Sequence, residues 1–138
     1  MKRHLNTRLL QAISLALILF CALPATARNW LFKNGKSDYR IVLDRQASPS
    51  EMKAAEELQM YIKQISGAQL PITDDATSKG RRIFVGFGSA VADITGAQKP
   101  EADDEGFTYR TVGKDLLIYG GAQRGSMYGV FSFLEDEL

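Results

Sequence analysis

Cysteine and histidine are almost absent from this 138-residue chain, which contains one of each. Both of them, Cys21 and His4, lie within the first 27 residues. Residues 28–138 therefore contain no thiol nucleophile, no disulfide, and no imidazole for a Ser-His-Asp triad or a histidine-ligated zinc ion. We predict no metal site and no cofactor.

The chain also lacks a strong charge of one sign and the length needed for a large catalytic fold. Its 17 basic and 16 acidic residues give a net charge of +1, which does not indicate a nucleic-acid-binding surface. The length predicts one domain and is too short for a closed (β/α)₈ barrel, which takes about 250 residues. The composition, 45% hydrophobic and 24% charged, is typical of a globular domain.

The first 27 residues have the pattern of a secretory signal peptide. A basic segment, residues 1–8, precedes an apolar run over 9–23, and Ala25-Thr26-Ala27 supplies the small residues of a cleavage site. The run is shorter than the ~20 residues that span a bilayer. We expect cleavage after Ala27, a periplasmic or extracellular location, and no membrane span afterwards. The alternatives are an uncleaved anchor and a lipoprotein modified at Cys21, which Phe20 disfavours.

The mature chain from Arg28 to Leu138 alternates strand and helix patterns around one predicted core. A turn signal, Asn34-Gly35, comes first, and Gly113-Lys114 can form a two-residue hairpin turn. Apolar and β-branched segments predict five strands, near residues 39–43, 70–73, 82–86, 106–111 and 116–119.

A first helix is predicted to begin at Ser48. This residue is a good N-cap, Pro49 suits the first helical position, and Glu51 completes a capping box. Gly67 is placed to end the helix. Its apolar stripe is predicted to consist of Met52, Ala55, Leu58, Ile62 and Ile65.

A second helix is predicted from about Ala122 to the end of the chain. Its broad apolar stripe is formed by Met127, Val130, Phe131, Phe133, Leu134 and Leu138. We expect Phe131 to be buried and Phe133 to be partly exposed. Gly129 costs about 1 kcal/mol relative to alanine inside a helix, so we expect it to permit close contact with the sheet.

Motifs that carry chemistry are few. Gly86-Phe87-Gly88 follows a strand, but Val91 stands where a dinucleotide fingerprint needs its third glycine, so a plain turn is favoured. The acidic segments 74–75 and 103–105 lack calcium-loop spacing and are interpreted as solvated loops. Arg124, where a strand meets a helix, is a candidate contact for an anion or a neighbouring domain. No residue is predicted to be catalytic.

An ordered set of short segments resembles a known family. Residues 48–51, 54–58 and 65–67 resemble the first helix of the N-terminal domain of α-glucuronidases. Residues 105–107, 117–120, 124–125, 128–130 and 133–135 resemble the same domain, and also the domain that precedes the barrel in β-hexosaminidases. Most of the chain from Tyr39 onward is covered.

The resemblance implies an α+β fold, a mixed sheet with two main helices packed on one face, placed before a (β/α)₈ barrel that carries the catalytic carboxylates. We expect the 138 residues to be too few to include that barrel, so that the chain is a fragment, a truncated gene product or a free-standing relative. Two functions follow as expectations: a non-catalytic accessory domain of an exported glycoside hydrolase acting on xylan-type polysaccharide, or a free-standing carbohydrate-binding or assembly module. The aromatic residues that the pattern leaves available for sugar stacking are Trp30, Tyr39 and Phe87.

Overall fold

The computed structural model describes residues 30–138. The predicted signal peptide, with Cys21 and His4, lies outside these residues. The elements are β1 (Tyr39–Leu43), α1 (Pro49–Ser66), β2 (Ile72–Thr73), β3 (Arg81–Val85), α2 (Ser89–Thr95), β4 (Phe107–Val112), β5 (Asp115–Gly120) and α3 (Gly125–Glu137).

The described strands form one five-stranded mixed sheet in the order β2-β1-β3-β5-β4. The first four of these strands pair in parallel, and β4 pairs with β5 antiparallel. Val112 and Asp115 are partners in that pairing, which confirms the two-residue hairpin at Gly113-Lys114. The short strand β2, which follows Pro71, lies at an edge, where a missing backbone donor is tolerated.

The two faces of the sheet are covered differently. Helices α1 and α3 pack on one face, which confirms the predicted α+β arrangement with two main helices on one side. The side chains buried there include Ile41, Leu58, Ile62, Ile83, Ile118, Val130 and Phe133. The short helix α2 covers part of the other face, where Val91 packs with Val42, Phe84, Leu117 and Tyr119.

Helix α1 begins and ends as its sequence predicts. Ser48 Oγ accepts the Glu51 N–H at 3.1 Å, and Glu51 Oε2 accepts the Ser48 N–H at 2.9 Å, so the capping box is complete. Gly67 has a left-handed φ of 78° and donates to Lys63 O, as expected of a helix C-cap. The predicted stripe is wrong at its two ends, because Met52 and Ile65 are exposed.

The predicted orientation of α3 is also wrong: Phe133 is 6% exposed and Phe131 is 37% exposed. A Cβ atom on Gly129 would lie 3.1 Å from Ile118 Cγ2, so Gly129 faces the sheet closely, as predicted. Phe133 is one turn further along that face, whereas Phe131 is two residues from Gly129 and about 200° around the helix axis. The glycine therefore fixes the buried face, and Phe131 lies outside it.

Candidate functional site at the carboxyl edge of the sheet

A groove of about 840 Å³ lies where the parallel strands β1 and β3 end. We call it the carboxyl-edge groove. Its walls include Asp44 after β1, the segment 86–88 after β3, and Glu51 in the first turn of α1. Ligand sites of parallel sheets are generally found outside the carboxyl ends of the strands, so this groove is where a functional site is first sought.

Glu51 is the buried acid of this groove and joins two helices. Its Oε2 closes the capping box, and its Oε1 accepts a hydrogen bond from Ser126 Oγ at 3.2 Å. Ser126 Oγ in turn accepts the Gly120 N–H at 3.1 Å, and Ser48 Oγ donates to Ala122 O at 2.5 Å. The network thus fastens the start of α1 to the start of α3 and to the end of β5.

The two glycines of the Gly86-Phe87-Gly88 turn make room for carboxylates. Gly86 has a φ of +88°, and a Cβ there would lie 2.5 Å from Glu51 Oε1. A Cβ on Gly88 would lie 2.5 Å from Asp44 Oδ2, the atom that accepts the Ser89 N–H at the start of α2. The sequence predicts the turn and the capping role of Glu51, but not that Glu51 and Asp44 lie against the turn. The signal that could have indicated such close neighbours was the pair of glycines after a buried strand.

The remaining acids near the groove lie in exposed loops. Asp75 Oδ1 accepts hydrogen bonds from the backbone and hydroxyl of Thr77, and these bonds lower the pKa of Asp75. Asp74 Oδ2 pairs with Arg45 Nε at 2.9 Å. Within residues 30–138, no three or more Asp, Glu, His or Cys side chains are grouped in a way that would hold a metal ion.

The three aromatic residues predicted to stack on sugars occupy different environments. Trp30 is 57% exposed and lines a second groove with Phe32. Phe87 lines the carboxyl-edge groove and contacts Tyr119 edge to face, with ring centroids 5.4 Å apart. The prediction for Tyr39 is corrected by the structure, because its ring is buried and offers no surface for stacking. Strand β1 lies in the interior of the sheet, and Tyr39 points to the face that α1 and α3 cover.

Arg124 is exposed and interacts with an acid of its own domain. Its Nη1 lies 3.0 Å from Glu105 Oε1. This hydrogen bond raises the pKa of the Arg124 guanidinium, with a smaller contribution from Tyr128. The binding of an external anion or of a neighbouring domain to Arg124 stays a prediction. Either partner would have to share the guanidinium with Glu105.

Comparison with known proteins identifies the family. Residues 30–133 match the family described as "Glycosyl hydrolase family 67 N-terminus". The chain belongs to this family. The resemblance to α-glucuronidase N-terminal domains is therefore confirmed. Among residues 30–138, no helix of this family 67 N-terminal domain combines the length and apolar character that crossing a membrane requires.

Curated relatives carry the same domain within much longer chains. This family 67 N-terminal domain is 32% identical over 96 residues to the probable alpha-glucuronidase A of Neosartorya fischeri, and 30% identical to that of Aspergillus fumigatus. Each alignment covers 68% of this chain and 11% of the relative. The chain therefore matches about a tenth of those proteins.

Two solved structures share the fold. A family GH115 4-O-methyl-alpha-glucuronidase with specificity for decorated arabinogalactans aligns with a TM-score of 0.59 and 16% identity, over 75% of this chain and 14% of that one. A GH138 enzyme targeting pectin rhamnogalacturonan II aligns with a TM-score of 0.52 and 18% identity, over 70% and 13%. At these identities, the likeness supports the fold of the family 67 N-terminal domain and not its activity.

Proposed function

We propose that the chain is a non-catalytic accessory domain of an exported α-glucuronidase-like glycoside hydrolase, working beside a catalytic domain in cis. The observation that carries this proposal is the use of carboxylates at the carboxyl edge of the sheet. Glu51 accepts two hydrogen bonds that hold α1 and α3, and Asp44 accepts the N–H groups of Gln46 and Ser89. These acids support the fold.

Glycoside hydrolysis makes a different demand on carboxyl groups. It needs a pair about 5–5.5 or 6.5–9.5 Å apart, flanking the bound sugar and free to act as acid, base or nucleophile. The carboxylates of Glu51 and Asp44 are instead occupied as hydrogen-bond acceptors at the starts of α1 and α2. Asp44 and Glu51 are therefore suited to positioning helices rather than to catalysis.

The lengths of the relatives support the catalytic partner in cis. The domain corresponds to 11% of a protein named as a probable alpha-glucuronidase, which leaves about nine tenths of that chain to hold a catalytic domain. Xylan-type polysaccharide is the proposed substrate of the whole enzyme, on the basis of the resemblance to α-glucuronidases. The first 27 residues, with their basic, apolar and small-residue order, support export.

We expect the purified full chain to release no nitrophenol from an aryl α-glucuronide. The assay is run beside the Glu51→Gln and Asp44→Asn variants, with a complete α-glucuronidase as positive control. Release by the unaltered chain that disappears in one of these variants would show that the carboxylate is catalytic and would overturn the proposal.

Export is tested separately. N-terminal sequencing of the protein recovered from the periplasm or medium is expected to begin at Arg28, because the peptidase site follows Ala27. Retention of Met1 on the mature protein, or a lipid attached to Cys21, contradicts this cleavage.

A free-standing carbohydrate-binding module is the second candidate function, favoured by the exposure of Trp30. It is the single tryptophan of the chain, so its fluorescence reports directly on this position. If sugars stack on Trp30, xylo-oligosaccharides will shift the emission of the full chain. The same titration of Phe87→Ala controls for binding in the carboxyl-edge groove, and an unchanged spectrum at saturating sugar removes Trp30 from the candidate site.

A further inference from the structure

A second charged groove lies at the opposite edge of the sheet, where the parallel strands begin. It has a volume of about 540 Å³, and we call it the amino-edge groove. The charged side chains that line it are Arg40, Arg81, Lys114 and Asp38. Basic groups therefore exceed acidic ones by three to one, whereas the carboxyl-edge groove is lined by four acids, Asp44, Glu51, Asp74 and Asp75, against Arg45 and Lys99.

Arg40 is the unusual member of the amino-edge groove. Its side chain is half-buried, and its Nε is buried without a hydrogen-bond partner among residues 30–138. The neighbouring loop is close, since a Cβ on Gly80 would lie 3.9 Å from Arg40 Nη2. Asp75 interacts with Arg40 electrostatically and forms no ion pair with it, and its carboxylate accepts hydrogen bonds from Thr77.

The two arginines of the adjacent strand β3, unlike Arg40, have hydrogen-bond acceptors for their guanidinium groups. Arg82, the register partner of Arg40, donates hydrogen bonds to the carboxylate of Asp115 and to Ala76 O. Arg81 donates to Tyr39 Oη at 3.4 Å and lies over the Tyr39 ring. The structure gives the Arg40 guanidinium no hydrogen bond and no ion pair among residues 30–138. Because its Nε is enclosed, an acceptor from outside would bind the guanidinium at its Nη atoms.

We propose that the amino-edge groove binds a carboxylate of the kind that a uronic acid carries, with Arg40 as its principal ligand. The planar guanidinium matches the geometry of a carboxylate and forms charge-assisted hydrogen bonds with it. Lys114, from the β4–β5 turn, adds positive charge, and Asp38 opposes it in part. The uronic acid as the source of the carboxylate rests on the proposed function; the anion site itself does not.

The experiment is an NMR titration of the full chain with glucuronate, with glucose as the neutral control and inorganic phosphate as the competing anion. Glucuronate is expected to shift amide resonances around Arg40 and Lys114, and the affinity is expected to fall as salt is added. Glucose is expected to leave these resonances unchanged. Arg40→Gln is expected to weaken glucuronate binding at least about tenfold, the scale of one lost charge-assisted hydrogen bond.

Matched variants decide the outcome. Arg110→Gln removes an exposed arginine of β4 outside the groove and is expected to leave the affinity unchanged, while Lys114→Gln, in an exposed turn, weakens it. If Arg40→Gln does not fold, Lys114→Gln carries the test. Equal affinities in Arg40→Gln, Lys114→Gln and Arg110→Gln, or no glucuronate binding, overturn the site. If phosphate binds more tightly than glucuronate, the assignment of the ligand as a uronic acid is overturned. The hydrolysis assay that tests the proposed function is independent of all these results.

Discussion

Replacing Phe133 with alanine is expected to lower the free energy of unfolding by about 3–5 kcal/mol, the usual cost of emptying a buried aromatic site. Its ring is 6% exposed and lies edge to face with Tyr109, with centroids 5.8 Å apart. Tyr109 is further held by a hydrogen bond to Asp136, so the surroundings of the cavity cannot easily collapse into it. The loss is a large share of the 5–15 kcal/mol by which domains are stable.

Phe131→Ala on the same helix is the matched control. It removes the same number of atoms and changes helix propensity equally, but its ring is 37% exposed. We expect a loss of about 1 kcal/mol or less, in the range of substitutions away from the core. Urea denaturation of the full chain and both variants measures the difference. Equal losses, or a larger loss for Phe131→Ala, would contradict the orientation of α3.

The buried face of α3 could not be predicted from the apolar pattern of the sequence alone. Its apolar stripe is broad, so periodicity alone permits more than one buried face, and the choice of Phe131 was wrong. The deciding signal was Gly129, whose missing side chain lets the helix approach Ile118. A stripe identifies a helix, but the closest backbone approach fixes which side of the helix is buried.

The capping and turn signals of the sequence were read correctly, whereas hydrogen-bond partners far apart in the sequence were not predicted. The capping box of Ser48 and Glu51 needs only residues three apart, and it was predicted in full. The bond between Glu51 and Ser126 joins residues 75 apart, and that between Arg82 and Asp115 joins residues 33 apart. No periodicity or spacing links such pairs, so the bond from Ser126 to Glu51 and the Arg82–Asp115 pair became visible only in the fold.

The Arg82–Asp115 pair links the central strand β3 to β5 on the face that α2 partly covers. Asp115 Oδ1 accepts bonds from Arg82 Nε at 3.0 Å and from the Arg82 backbone N–H at 3.2 Å, and Oδ2 lies 2.5 Å from Arg82 Nη2. The two side chains are 20% and 9% exposed. The bond to Asp115 raises the pKa of the Arg82 guanidinium, so its charge is fixed at every accessible pH.

Asp115→Ala is expected to lower the free energy of unfolding by about 3–5 kcal/mol, because it leaves that fixed charge buried without its partner. Asp74→Ala is the control: it removes the partner of Arg45 from a pair whose side chains are 83% and 55% exposed, and about 1 kcal/mol or less is expected. Denaturation of both variants tests the contrast, and equal losses would contradict it.

A double variant, Arg82→Met with Asp115→Leu, separates the two sources of that loss. If the uncompensated guanidinium causes it, removing both charges is expected to recover most of the stability, since apolar side chains of similar volume often replace a buried ion pair at little cost. If the bonds of Asp115 to the Arg82 backbone N–H and side chain were themselves the main source, the double variant would stay as unstable as Asp115→Ala. We expect recovery, because only the partner deletion leaves a charge without its carboxylate. The double replacement leaves two uncharged groups without partners, the Ala76 carbonyl and the Arg82 backbone N–H, and the N–H, which costs about 1–3 kcal/mol, is left without its acceptor in Asp115→Ala as well.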